Sequence, residues 1–430
     1  MQSPQATGPP DLGGHNFKMD EHMNLLPLSF DTPHVHCNGL SPQVLADISN
    51  EIGVDPNVII YGTSFYSDNF FKTKNILWKE VSSEEQYFYP IVFRWPMKRY
   101  AENGHGYTFM EIPEKIISDC IANKAAIILY DVWEGNSWWR YMHMVTDICQ
   151  SNEGLRPHHF IVLTGNMHMP TDLPFKHVAI AWFQTMQQHN VDFAGMQHRI
   201  VNQTRRDHKF LCMSRRAAPH RLALVYHLWE YKNQGAMSFD ISNYQLLDIA
   251  YWHANILYEF PDKEKMDLIK RSLPLILEDG IDPSTNPIVD FSPQKFHDSH
   301  LHVVAETYYD CKDTERTMFF SEKIYKPMQY LQPFVILNYP HSLVELRRQG
   351  YQTFDKWLDE GYDGMLNIND RTIAVAQVVK DICKQSPKAS AAMHKDMLPV
   401  LEHNFHQRIS NSTAIDNDMY DLIHNALNSL

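Results

Sequence analysis

His300 to Leu337 reads HLHVVAETYYDCKDTERTMFFSEKIYKPMQYLQPFVIL, and its pattern decides the fold class. Leu301–Ala305 and Pro333–Leu337 are short, continuous apolar runs. Such runs mark strands buried on both faces, as in a parallel sheet covered by helices. Between them lie a polar loop and a short amphipathic helix that opens at Ser321, Glu322 and Lys323. Strand, helix, strand is the unit of an α/β fold and not of an all-β body.

The same rhythm extends in both directions. Apolar runs at Asn57–Tyr61, Ala125–Tyr130, Phe160–Leu163, Val178–Ala181 and Lys209–Met213 read as further strands. Helical patterns fill Ser137–Cys149, Pro219–Tyr231, Ser342–Gln349 and Asp370–Lys384. Pro219 suits a first helical turn, and Gly350 stops the helix before it. The polar stretch NQTRRDH, Asn202–His208, predicts a linker between two strand–helix blocks. The expected organisation is a loose tail at 1–20, an acceptor-side α/β domain at 21–205, a second α/β domain at 206–385, and a helical segment at 386–430 that packs back across both. Asp279–Ser299, rich in Pro, Asp and Ser, predicts a long surface loop.

Composition narrows the function classes. The 430 residues are 44% hydrophobic and 21% charged, enough to bury real cores. A net charge of -13 argues against a nucleic-acid partner held by phosphate neutralisation. No apolar run approaches the roughly 18 residues that span a bilayer. The start, MQSPQATGPPDLGGHNFKMDEH, lacks the basic and apolar regions of a signal peptide. Cys37, Cys120, Cys149, Cys212, Cys311 and Cys383 form no CxxC pair. Reduced thiols and a cytoplasmic location are therefore expected, a host cytoplasm if the chain is viral.

Four constellations carry candidate chemistry. In KFLCMSRRAAPHRLALVYHLWEY, Lys209 to Tyr231, a strand ends in a turn bearing Arg215 and Arg216, and Arg221 enters the following helix. Cations beside free helix N–H groups at a strand's carboxyl end make an anion site, and the arginine fork suits phosphate. Surface arginines on a solvated loop are the plain alternative. In the opening stretch, Glu306 ends a strand, Glu322 and Lys323 start a helix, and Lys326 lies one turn on. A carboxylate can accept ribose hydroxyls while a lysine holds a diphosphate. The plain alternative is a helix start capped by Ser321. In IILYDVWEGNSWW, Asp131 and Glu134 stand at a strand's carboxyl edge as candidate general bases, or as helix caps. In HHFIVLTGNMHMP, Gly165 and Asn166 form a turn permitting close backbone approach.

Other signals point to no site. His34 and His36, His158 and His159, and His300 and His302 match no metal-ligand spacing. Asp416-Asn417-Asp418 falls in a helical context, and Gly62–Ser64 is a generic turn. Neither a metal nor another cofactor is expected.

Three of these blocks, in order, resemble the α-1,3/1,4-fucosyltransferase-like glycosyltransferases and related uncharacterised virus and phage enzymes of the GT-B architecture. HFIVLTGNMHMP with KHVAIAWF is similar to that family's tGEN block. HKFLCMSRR with HRLALVYHLWEY is similar to its kFc…SN…R block. HVVAETYYD with FFSEKIYKPMQYLQPFVIL is similar to its ENS…TEK block. The resemblance implies two Rossmann-like domains facing across a cleft and an inverting, metal-independent transfer from a nucleotide sugar. The acceptor would be a glycan, a lipid-linked sugar or a protein. It places Lys323 on the donor diphosphate, Glu322 on the ribose or base, and Arg215 or Arg216 on phosphate. Asn166 stands where the family has its candidate base, the Glu of tGEN, which leaves Asp131 and Glu134 as the candidates. A catalytically inactive nucleotide- or carbohydrate-binding module and a virion structural protein are the alternative readings.

Overall fold

A computed structural model describes residues 112, 114–132, 135–185, 191–203, 205–214, 217–239, 251, 254–255, 257–277, 293–307 and 317–428, with strands at 26–27, 78–79 and 87–92. The strand expected at Asn57–Tyr61, the 1–20 tail, Gly62–Ser64, Cys37 and Cys311 lie outside the described residues. So do the site candidates Glu134, Arg215 and Arg216.

Strands β1 (Leu26–Pro27) and β2 (Trp78–Lys79) pair in parallel. A four-stranded parallel sheet follows, made of β3 (Tyr87–Val92), β4 (Ala125–Asp131), β5 (Phe160–Thr164) and β6 (Lys176–Ala179), in that order. The second sheet holds β7 (Phe210–Ser214), β8 (Gly235–Phe239), β9 (His302–Ala305) and β10 (Phe334–Leu337), in the order β10-β9-β7-β8 and again all parallel. The expected α/β class with two Rossmann-like units is what the chain adopts. Every residue of β5, β9 and β10 is buried, which is why these strands read as unbroken apolar runs.

The differences from the sequence reading have local causes. β6 starts two residues earlier than the apolar run, because it is half-exposed and its Lys176 and His177 are polar. β3 contains Pro90, which a central strand would not tolerate, but β3 is an edge of its sheet. β8 opens at Gly235, where a Cβ would come 2.3 Å from the Phe210 ring, so only glycine lets the strand pair this closely. The loop expected at 279–299 ends in a short helix, Gln294–His297.

Helix starts are set by local chemistry. Asp192 caps Phe193–Asn202 by accepting from the Gly195 amide, and Asn367 caps Ile368–Lys384. Pro219 begins Pro219–Leu228 and Pro387 begins Pro387–Asp396. Gly350 adopts φ 87° after Ser342–Arg348 and ends it.

The C-terminal helix Leu398–Asn428 ties the two halves together. Phe405 packs on Phe193 with ring centroids 4.6 Å apart, and Gln197 donates to Glu402 at 2.5 Å. From the same helix, Asn404 and Asn411 donate to the carbonyls of Gln352 and Gln349 at 2.8 and 2.9 Å. One apolar core runs continuously from β4 and β5 through β7, β9 and β10 to this helix. No helix among the described residues is long and apolar enough to cross a membrane.

Candidate functional site

The strand order of the second sheet creates a crevice. The connection leaving β7 runs to β8 on one side, and the connection leaving β9 runs to β10 on the other. Ligands of open α/β sheets bind at such a switch, outside the strand carboxyl ends. β7 and β9 are parallel neighbours, so their carboxyl ends, Ser214 and Ala305, open on the same side.

Glu306 is the hub of that place. Only 1% of its surface is exposed. Its carbonyl accepts from His220 Nε2 at 2.8 Å and from Arg221 Nη2 at 3.2 Å, both on the helix that follows β7. Its carboxylate receives the Ser321 hydroxyl at 2.5 Å, the Ser321 amide at 3.2 Å and the Thr307 amide at 3.2 Å. Burial raises the Glu306 carboxyl, against the pull of Lys323. His220 is neutral there, pushed down to about 3 by burial and then by the Arg221 charge. The two strand–helix junctions singled out in the sequence therefore meet, with Arg221 gripping backbone in the interior.

Lys323 forms the more open part. Its Nζ donates to Thr307 Oγ1 at 2.7 Å, to Ser321 Oγ at 3.2 Å and to Glu322 Oε1 at 3.0 Å. The Lys323 and Glu322 side chains keep 23% and 17% of their surface in solvent. Burial alone would raise Glu322, but Lys323 and Lys326 outweigh it and hold the carboxyl down at about 2. Ser321 caps the helix Glu322–Gln329 by accepting from the Lys323 amide at 3.3 Å. The capping expected of Ser321 and the grouping expected of Lys323 are thus properties of one residue cluster.

The first sheet approaches this cluster through the turns after β4 and β5. Asp131 ends β4, is buried, and accepts from Asn136 Nδ2 at 2.6 Å and from the Tyr141 hydroxyl at 2.8 Å. The Tyr141 hydroxyl also lies 2.7 Å from Thr164 Oγ1. Gly165 donates its amide to the Asp131 carbonyl at 3.3 Å. Asn166 is fully buried; its Nδ2 donates to the Asn136 carbonyl at 3.1 Å. Its Oδ1 accepts the amides of His168 at 3.0 Å and of Met318 at 2.9 Å. Met318 lies on the segment that leads to Ser321, so Asn166 links the first sheet's turns to the Glu306–Lys323 cluster. Gly135 lies against Phe319, where a Cβ would stand 2.2 Å from the Phe319 Cβ.

A further contact, which the sequence did not disclose, joins the halves. His168 Nε2 lies 3.4 Å from Glu345 Oε2, across 177 positions of chain. Glu345 also takes Arg348 Nε and Nη2 at 2.7 Å each and Gln349 Nε2 at 2.9 Å. Burial alone would raise Glu345, yet His168, Arg348 and Gln349 hold it down at about 2. Glu345 carried no signal of its own, because an acidic residue early in a helix is ordinary.

All four cysteines among the described residues are free thiols. Burial pushes Cys120, Cys212 and Cys383 up to about 12 and Cys149 to about 11, so none is primed as a nucleophile.

No family model and no curated protein matches the chain. Solved structures do. The α,α-trehalose-6-phosphate synthase of Burkholderia multivorans aligns with 80% of this chain and 70% of its own, at 9% identity and a TM-score of 0.36. The N-terminal domain of trehalose-6-phosphate phosphatase from Candida albicans aligns with 84% and 94%, at 9% identity and a TM-score of 0.36. The trehalose-6-phosphate synthase OtsA aligns with 87% and 84%, at 10% identity and a TM-score of 0.33. Similarity this distant does not reach the level of shared activity.

Proposed function

We propose that the chain is a glycosyltransferase of the GT-B kind, moving a sugar from a nucleotide-sugar donor to an acceptor hydroxyl. The observation that carries this reading is the meeting of two strand–helix junctions at Glu306, in the crevice between β7 and β9. The donor diphosphate would take the partly open Lys323 ammonium, the Thr307 and Ser321 hydroxyls, and the amides that begin the helix Glu322–Gln329. Lys323 would exchange its bond to Glu322 for phosphate, freeing that carboxylate for ribose hydroxyls. Lys326, one turn on, adds positive charge behind it. Arg215 and Arg216 keep the phosphate role that their position after β7 suggests. Glu306, Arg221 and Asp131 act as positioning residues, since their polar atoms hold other parts of the protein.

In this mechanism the acceptor oxygen attacks the anomeric carbon while the bond to the donor phosphate breaks. The nucleoside diphosphate leaves with the electron pair. Preorganised cations and amides stabilise its growing charge, each worth about 3–4 kcal/mol in comparable sites. Inverting, metal-independent transfer follows from the resemblance in the sequence, as does the link to viral enzymes. The acceptor class is a glycan, a lipid-linked sugar or a protein.

The test is thermal shift with GDP, UDP, dTDP and CMP, together with release of nucleotide from the corresponding sugars. One nucleotide should raise the melting temperature of the wild type and not that of Lys323→Ala, whose own fold should be intact. Equal affinity in wild type and variant would refute the site. A non-catalytic binding module is the second reading, favoured by the Lys323–Glu322 ion pair and by Asn166 in place of a glutamate. Nucleotide binding without any release of sugar would decide for that reading.

A further inference from the structure

His168 is partly exposed, unlike the fully buried Asn166 of the same turn. Its side chain is 37% exposed, against 3% for Glu345. It comes from the turn after β5, and its backbone is fixed by Asn166 Oδ1, the same atom that holds Met318. Its ring nitrogen Nε2 meets a carboxylate that is itself clamped by Arg348 and Gln349. An ionised carboxylate at Nε2 keeps the proton there and leaves the lone pair on Nδ1. A buried acid that fixes the tautomer, with an accessible imidazole in front of it, is the arrangement of a general base. Asp131 is poorly suited to that task, because its carboxylate is buried against Tyr141 and Asn136.

We propose that His168 is the catalytic base of the transfer and that Glu345 is its positioning residue, an assignment that rests on the glycosyl-transfer reading above. The acceptor O–H loses its proton to His168 Nδ1 as its oxygen bonds to the anomeric carbon. The bond from that carbon to the donor phosphate breaks, and the nucleoside diphosphate carries away the electron pair. The imidazolium is stabilised through Nε2–H by Glu345 and passes its extra proton to solvent. The base is thus supplied by the turn after β5 and oriented by the second half of the chain. Catalysis then requires the two halves to be docked.

The experiment uses the full chain and nucleotide release from UDP-, GDP-, dTDP- and CMP-sugars with water as acceptor. Nucleotide affinity by thermal shift and melting temperature are followed in parallel. His168→Ala should lower kcat by about a hundredfold or more, the usual contribution of a general base. Nucleotide affinity should be unchanged, and added imidazole should restore part of the rate. Glu345→Gln should lower kcat without changing nucleotide affinity. An active wild type with an equally active His168→Ala overturns the base assignment and leaves glycosyl transfer standing. Loss of rate together with nucleotide affinity, without rescue by imidazole, makes His168 structural and also overturns it. A wild type that releases nucleotide from no donor overturns both readings.

Discussion

Asn166 Oδ1 accepts the amide of Met318 at 2.9 Å, joining the turn after β5 to the segment that leads into the helix Glu322–Gln329. The residue is fully buried, and the same oxygen holds the His168 amide. One side chain thereby sets the distance between the two halves of the candidate site.

Replacing Asn166 by Ala should destabilise the protein by about 1–3 kcal/mol, because the buried Met318 amide and the part-buried His168 amide lose their acceptor. Asn166→Asp keeps the accepting oxygen but loses the donor to the Asn136 carbonyl, and should cost part of the stability. Urea denaturation of both variants checks this. A wild-type midpoint for Asn166→Ala would show that the link is dispensable.

Gly135 has no room for a side chain against Phe319. Gly135→Ala should push the 135–137 segment away and cost about 1–3 kcal/mol through overpacking. Combining it with Phe319→Ala should recover some of that loss relative to the sum of the single variants. Additive losses in thermal melts would place the strain elsewhere.

Stability should fall steeply in mild acid. Burial, the leading cause in each case, pushes His220, His300 and His302 down to about 3 and His227 and His297 down to about 4. His394 is driven well below its usual value, again by burial first. Their ordinary value is 6.5, so the unfolded chain binds these protons before the folded chain does. The stabilisation is full above pH 6.5 and is lost as pH falls toward 3 to 4. Each fully buried histidine, such as His220 and His302, costs up to about 1.4 kcal/mol per pH unit in that window, and the partly exposed His227 and His297 cost less. Chemical denaturation between pH 7.5 and pH 5 reads the slope, and a flat profile would contradict the buried neutral imidazoles. His302→Phe, which keeps the volume without the titration, should make the slope shallower.

The fully buried Ser321 is both a helix cap and a ligand of Glu306. Ser321→Ala should cost about 1–2 kcal/mol from the lost cap, with an added penalty from the carboxylate left short of a donor. It should also loosen Lys323 and weaken nucleotide binding. Ser321→Thr keeps the hydroxyl and should retain more of both. Melting temperature and nucleotide-induced thermal shift on the two variants separate the effects.

The sequence alone determined the elements. Unbroken apolar runs at Ala125–Tyr130, Phe160–Leu163 and Pro333–Leu337 could only be satisfied by burial on both faces, and they became parallel strands. The Ser321 cap and the Pro219 helix start were legible because each depends on a few neighbouring residues. Tertiary structure decided what the polar residues do. Asp131 and Glu306 read as strand-end acids that could meet a ligand, yet Tyr141 binds the buried side chain of one, and Ser321 and His220 hold the other inside. The His168–Glu345 contact joins residues 177 positions apart. A short-range pattern carries the energy of local backbone geometry. Which carboxylate is buried and which imidazole faces solvent depends on how two sheets dock, and no stretch of sequence contains that.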